Sequence, residues 1–166
     1  MPKLLSVVLL FSLTIVGARM AGAAPIVSVD ADTATPGIQS TSSVGGALSL
    51  SVDIVISGVE ASSPLNGFEL DLDFDPTLLS AVSVSDGGFL LAPTFVVQNT
   101  LGILSVEFAE VTLGPGGAIG SGVLATVVFD VIGDGTSALD LNDVVLAAPF
   151  GEPIPIPISA IADGEV

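Results

Sequence analysis

Residues 67–76, GFELDLDFDP, carry the pattern that decides the fold. Apolar and acidic side chains alternate along this stretch without a break: Phe68, Leu70, Leu72 and Phe74 on one parity, Glu69, Asp71, Asp73 and Asp75 on the other. Successive side chains of a β-strand point to opposite faces, so a period of two is typical of a strand with one buried and one solvated face. The Asp-Pro pair that follows predicts a turn, with Asp75 as its capping residue.

Other segments extend this pattern over the chain. Residues 48–57 alternate in the same way and predict that Leu50, Val52 and Ile54 are buried. Residues 104–109 alternate over a shorter run, whereas residues 122–133 are apolar on both parities. Shorter candidate strands are 26–30, 81–85, 94–98, 138–146 and 156–162, separated by Gly, Pro and Asp turn signals. No segment has a helical period, so we expect an all-β, antiparallel β-sandwich.

The proline pattern near the C-terminus restricts the last strand. Residues 151–159, GEPIPIPIS, place proline at alternate positions. Proline has no backbone N–H, so this segment is expected at a sheet edge or unpaired on one parity.

The composition excludes several classes of function. The 166 residues include 18 acidic and 2 basic side chains, no Cys, no His, no Trp and no Tyr, with a formal net charge of -16. The usual Cys/His zinc site, disulfides and His-dependent catalytic pairs are therefore impossible. With so few cations we expect no nucleic-acid binding and no attraction to anionic membranes.

The N-terminus has the features of a secretory signal peptide. Lys3 precedes an apolar run at residues 4–16, and Ala21-Gly22-Ala23 supplies a small-residue cleavage site. The alternative, a membrane anchor, is disfavoured because the run is short for a span of about 20 residues. Residues 1–23 are thus expected to be removed with both basic residues, leaving one domain at 24–166 without membrane insertion. We expect a secreted, extracellular protein, with the periplasm as the alternative.

Five stretches in order along the chain resemble the cohesin domain. They are LSLSVDIVISGV, LNGFELDLDFDPTLLSAVSV, GILSVEFAEV, GSGVLATVVFDVIG and PISAIADGEV. The resemblance implies a nine-stranded jelly-roll sandwich and a non-catalytic role, in which one sheet face docks a dockerin-type or other secreted protein. Extracellular polysaccharide degradation or surface assembly is the implied setting.

The resemblance also implies a partner-binding face. In the family topology the strands similar to 67–74, 103–109 and 122–132 lie in one sheet. Residues 122–132 can be oriented so that Val123, Ala125, Val127 and Phe129 point inward. The side chains on the outer face of this sheet are then Glu69, Asp71, Asp73, Ser105, Glu107, Leu124, Thr126 and Val128. An apolar strip rimmed by acids is typical of an interface. The alternative is that the acids simply form a solvated outer face.

Calcium binding is a further possibility that the acidic loops raise. Oxygen ligands occur at Asp30 and Asp32, at Asp134, and at Asp140, Asn142 and Asp143, but none has the spacing of an EF-hand, so turn and capping roles are favoured. No cofactor is expected, with structural calcium left as an alternative.

A polysaccharide-binding module of the same sandwich superfamily is the second hypothesis. Such modules stack sugars on Trp or Tyr, which this chain lacks, leaving only Phe89, Phe95 and Phe150 near predicted loops. A glycosidase needs two carboxylates, but no Arg, Lys, His, Tyr or Trp beyond residue 23 could orient a sugar, so we expect no enzyme.

Overall fold

The computed structural model describes residues 24–43, 46–92, 94–113, 116–149, 153–154 and 161–166. These residues form eleven strands: β1 Ile26–Asp30, β2 Ser49–Val59, β3 Gly67–Asp73, β4 Leu79–Asp86, β5 Thr94–Leu101, β6 Ser105–Thr112, β7 Gly120–Val131, β8 Ala138–Ala147, β9 Pro153–Ile154, β10 Ile161–Ala162 and β11 Gly164–Glu165. In this described part of the chain, no helix has the length and apolar character needed to cross a membrane. The predicted signal peptide at 1–23, Phe150 and most of the proline-rich segment lie outside the described residues.

The strands form two sheets. Sheet 1 has the order β10-β1-β2-β7-β4, and sheet 2 has the order β11-β8-β3-β6-β5, with β9 pairing to β8. Every strand pair is antiparallel except β1 with β10. This confirms the all-β sandwich. The resemblance implied nine strands, whereas the described residues form eight strands of five or more residues and three two-residue strands, β9, β10 and β11.

The core lies between the sheets and is built by the alternating strands. On β3 and just after it, Phe68, Leu70, Leu72 and Phe74 are at most 7% exposed. Leu50, Val52 and Ile54 are buried from the side of sheet 1, so both predicted parities are confirmed. The rings of Phe74 and Phe129, one from each side of the sandwich, meet edge to face with centroids 5.0 Å apart.

A capped turn carries the chain from β3 in sheet 2 to β4 in sheet 1. The Asp75 Oδ1 atom accepts hydrogen bonds from the Thr77 hydroxyl at 2.7 Å and the Thr77 N–H at 2.8 Å. These bonds favour the carboxylate and lower the pKa of Asp75. The predicted capping role of Asp75 is therefore confirmed.

The predicted position of β7 is wrong. β7 pairs with β2 and β4 in sheet 1, not with β3 and β6, so Leu124, Thr126 and Val128 do not lie beside the acids of β3. A β-bulge leaves Leu124 without a partner on β2, and both Leu124 and Ala125 point into the core, fully buried. Thr126 and Val128 do point outward, but on the outer face of sheet 1.

Candidate docking face

The outer face of sheet 2 brings four strands side by side in the order β8, β3, β6, β5. Paired residues of neighbouring strands point to the same side of a sheet, so the register defines rows across this face. The outward rows are Asp140, Asp73 and Ser105; Asn142, Asp71, Glu107 and Thr100; Val145, Glu69, Ala109 and Gln98; and Ala147, Gly67, Val111 and Phe95.

These rows divide the face into two chemically different halves. The acidic half consists of the first two rows and contains Asp71, Asp73, Ser105, Glu107, Thr100, Asp140 and Asn142. The apolar half contains Gly67, Ala109, Val111, Val145, Ala147 and Phe95. Phe95 is 48% exposed and Val145 is 46% exposed, so this half offers apolar surface to solvent. Glu69 lies between the two halves.

Asp71 is the electrostatic centre of the acidic half. Partial burial raises the pKa of Asp71, and the negative charges of Glu107, Asp143, Glu69 and Asp73 raise it further. The chain's only basic side chains, Lys3 and Arg19, lie outside the described residues. The cluster therefore carries a strong negative potential that an external cation would relieve.

Neutral amides hold two of the surrounding carboxylates in place. Asn142 Nδ2 donates to Asp73 Oδ2 at 2.8 Å, and Gln98 Nε2 donates to Glu107 Oε2. A β-bulge in β8, at which Asp143 adopts a φ of 46°, brings the Asp143 charge close to Asp71. The amides orient the carboxylates without neutralising them, so the negative charge remains available to a partner.

The structure brings five of the predicted residues together and separates three. Glu69, Asp71, Asp73, Ser105 and Glu107 share the outer face of sheet 2, whereas Leu124 is in the core and Thr126 and Val128 face away on sheet 1. Whether these residues bind a partner stays a prediction.

Sequence reasoning missed the apolar half of the face. Ser105, Glu107 and Ala109 are the outward positions of residues 104–109. Continuing this alternation by two residues predicts that Val111 also points outward.

The outer face of sheet 1 is chemically different. Its outward rows are dominated by hydroxyls, among them Ser51, Ser83, Ser85 and Thr126. The Thr126 hydroxyl donates to Asp53 Oδ1 at 2.6 Å, so one of the few acids there is already engaged. Asp30, paired with Asp53, and Asp130 are further acids on this face, and its described strand residues include no outward aromatic side chain.

The proposed calcium ligands take part in local hydrogen bonds. Asp30 Oδ1 accepts from the N–H groups of Gln39 at 3.1 Å and Asp32 at 3.3 Å, and Asp32 Oδ2 accepts from the Thr35 hydroxyl at 2.7 Å. These are the contacts of an Asx-type turn. Within the described ranges, no group of three or more His, Cys, Asp or Glu side chains is arranged to hold a metal ion.

The two described phenylalanines considered for sugar stacking differ in position. Phe89 is half-buried and packs against the core cluster, beside a cleft of ≈ 420 Å³. Phe95 is on β5, at the edge of sheet 2, rather than in a loop. Neither lies flat beside a second aromatic side chain to form a stacking platform in the described part of the chain.

Comparisons with known proteins agree with this architecture. No curated protein matches the chain. Among solved structures, a non-cellulosomal cohesin from the archaeon Archaeoglobus fulgidus is 16% identical with a TM-score of 0.61, covering 86% of this chain and 89% of that one. The sixth cohesin of Acetivibrio cellulolyticus scaffoldin B, solved in complex with a Cel5 dockerin mutant, is 15% identical with a TM-score of 0.65, covering 87% and 98%.

A third structure points the same way. A type I cohesin–dockerin complex from Clostridium thermocellum gives 12% identity and a TM-score of 0.64, covering 87% of this chain and 98% of that one. The family model for the cohesin domain matches residues 33–151, which is more than half of the chain and includes β2 to β8. The chain belongs to the cohesin family.

Proposed function

We propose that this cohesin domain is a secreted, non-catalytic module that docks a dockerin-type protein on the outer face of sheet 2. The observation that carries the proposal is the juxtaposition of an acidic half and an exposed apolar half on four adjacent strands. Cohesin structures solved in complex with dockerins support a protein partner. Participation in polysaccharide degradation or surface assembly belongs to the same proposal.

The two halves have different physical roles. Burial of Phe95, Val111 and Val145 supplies affinity, because apolar area removed from water stabilises a complex by about 25 cal/mol per Å² before association costs are subtracted. The acidic half acts mainly on encounter, because opposite charges steer a partner into place. The complementary surface is therefore an apolar patch flanked by Lys or Arg.

The partner can be identified by capture from culture supernatant. The immobilised protein is incubated with the source organism's secreted proteins, and mass spectrometry identifies what is retained. Retention of a protein that carries a dockerin module supports the proposal. Retardation of the domain in gels containing hydroxyethyl cellulose, glycol chitin or xylan, with no dockerin-bearing protein retained, would favour a polysaccharide-binding module instead.

Neutralising the acidic half is expected to slow association. In the double variant Asp71→Asn, Asp73→Asn, the association rate with the captured dockerin-bearing protein should fall at low salt and depend less on ionic strength, while dissociation changes little. The reason is that salt screens exposed charges, with a Debye length of about 8 Å at physiological ionic strength. Surface plasmon resonance at several salt concentrations measures both rates.

A matched control lies on the opposite face. Asp130 is an exposed acid on the outer face of sheet 1, and Asp53 lies in the same sheet. The variant Asp53→Asn, Asp130→Asn changes the net charge by the same amount. If both double variants alter the salt dependence equally, only net charge matters and the acidic half is not the docking surface.

Export is expected to remove the predicted signal peptide. Cleavage after Ala23 would give an exported protein that begins at Ala24 and retains no basic side chain. Intact-mass spectrometry of protein recovered outside the cytoplasm measures this directly. Full-length protein retained in the membrane fraction would show that residues 4–16 act as an anchor.

A further inference from the structure

Glu110 is an acidic side chain in the core of the sandwich. It follows Phe108 on the inward parity of β6 and pairs with Phe68 on β3 and Val96 on β5. Its side chain is 1% exposed, and neither carboxylate oxygen accepts a hydrogen bond of normal distance and angle. A buried carboxylate without a partner is unfavourable, because the folded state does not replace the hydration lost on burial. Glu110 therefore requires a physical explanation.

The groups that act on Glu110 come from the neighbouring strands. Asp86, the last residue of β4 in sheet 1, pairs with Ala125 and so has the inward parity, but it lies at the rim of the sandwich, where its side chain is exposed. Its carboxyl group and the Thr94 hydroxyl at the start of β5 both lie close enough to interact with the Glu110 carboxyl. The other facing side chains, Phe68 and Val96, do not titrate. Asp86 is the one ionisable group acting on Glu110 in the described residues.

A buried carboxylate beside a second carboxyl group is stabilised by a proton or a cation between the two. The described residues contain no basic side chain, and no third acid joins this pair in a group that could hold a metal. One oxygen of Asp86 already accepts the Gly88 N–H at 2.5 Å. Calcium requires six to eight converging oxygens, so this site is poor in ligands for a metal and well suited to a single proton.

We propose that Glu110 and Asp86 share one proton in a carboxyl–carboxylate hydrogen bond that ties β6 of sheet 2 to β4 of sheet 1. The protonated group donates and the ionised group accepts, so Glu110 gains the hydrogen-bond partner that its buried oxygens lack when both acids are charged. The bond joins the sheets near the edge where β4 and β5 approach each other, and there the Asn99 Nδ2 donates to the Val84 carbonyl at 3.3 Å. It acts as a pH-sensitive latch on that edge.

The direction of the pH effect follows from linkage. Burial is the largest influence and raises the pKa of Glu110, a hydrogen bond from the Thr94 hydroxyl lowers it in part, and the charge and hydrogen bonding of Asp86 raise it, so the net direction is upward. A group whose pKa is raised in the folded state stabilises the fold below its ordinary, unfolded pKa. That stability is lost as the pH rises through the raised pKa. The latch is therefore closed in mild acid and opens toward neutral pH.

Thermal unfolding of the purified protein from pH 4 to pH 8 tests the latch. At pH 7.5 the variant Glu110→Gln should melt higher than the wild type, by roughly 3–8 °C, because it removes a buried charge and its amide can donate to Asp86. The same variant should reduce the fall in Tm between pH 4.5 and pH 7.5. Asp86→Asn should also reduce that fall, and Glu60→Gln, at an exposed position after β2, should leave it unchanged.

Two results would overturn the proposal. An unchanged pH slope in either Glu110→Gln or Asp86→Asn would mean that no proton is shared between the two groups. A rise in wild-type Tm on adding Ca²⁺ at pH 7.5, reversed by a chelator and lost in Glu110→Gln, would mean that a cation occupies the site. Titration of the Glu110 side-chain carboxyl carbon by NMR gives an independent readout, since a midpoint at or below that of an ordinary Glu contradicts the latch. None of these measurements depends on the docking partner.

Discussion

Replacing Leu72 by alanine is expected to lower the free energy of unfolding by about 2–5 kcal/mol, the usual cost of a cavity in a packed core. Leu72 is fully buried at the centre of β3, between Val106 on β6 and Leu141 on β8. Its loss leaves space that the paired strands on both sides cannot easily close. Urea denaturation followed by circular dichroism measures the change, with the slope of the transition as a check on two-state behaviour.

Leu104 provides the matched control for this substitution. It lies outside the strands, in the bend between β5 and β6, and is 64% exposed. Leu104→Ala should change the free energy of unfolding by no more than about 0.5 kcal/mol, as exposed substitutions do. A loss for Leu72→Ala as small as that for Leu104→Ala would mean that the strand parity on which the sandwich is built is incorrect.

The fold was largely predictable because strict alternation leaves one solution. On β3, a shift of one residue would expose Leu70 and Leu72 and bury Asp71 and Asp73, so the register is strongly determined. The Asp75 cap was predictable for a similar reason, since an Asp-Pro pair has few alternatives to a turn. In both places the residues of the segment itself determine its conformation.

The sheet to which β7 belongs could not be predicted from its own residues. Its residues are apolar on both parities, so the alternation that orients β3 is absent. The bulge at Leu124 also changes the parity within the strand, which buries Leu124 and Ala125 together. Sheet membership depends on pairing with β2 and β4, strands distant in sequence, and no local pattern in β7 selects them.

Glu110 illustrates a further limit of pattern reading. Its inward position follows from extending the parity of Val106 and Phe108, yet an acid on that parity looks like the end of the strand. The strand in fact continues to Thr112. Pairing with β3 and β5 over its whole length extends β6 past the acid, and the nearby Asp86 comes from the other sheet, which sequence spacing does not reveal.

The substitution Val111→Asp is expected to raise the dissociation rate of the captured dockerin-bearing protein by about 10–100-fold. Val111 is half-buried in the middle of the apolar half, between Gly67 on β3 and Phe95 on β5. A carboxylate there would be covered by the partner without a counter-ion, and leaving a charged group unpaired costs about 1–3 kcal/mol or more, at 1.4 kcal/mol for each factor of ten. Surface plasmon resonance measures the rate.

The variant Val128→Asp is a control that distinguishes burial of a charge at the docking face from the general effect of adding one negative charge. Val128 is also a half-buried, outward-facing valine on an interior strand, but it lies between Ser51 and Ser83 on the outer face of sheet 1. Both variants add one negative charge, so long-range repulsion of a partner changes equally, and thermal unfolding of each verifies that the sandwich remains folded. Only Val111→Asp should speed dissociation, because only that charge is covered when sheet 2 docks. Faster dissociation in Val128→Asp, with Val111→Asp unchanged, would assign docking to sheet 1.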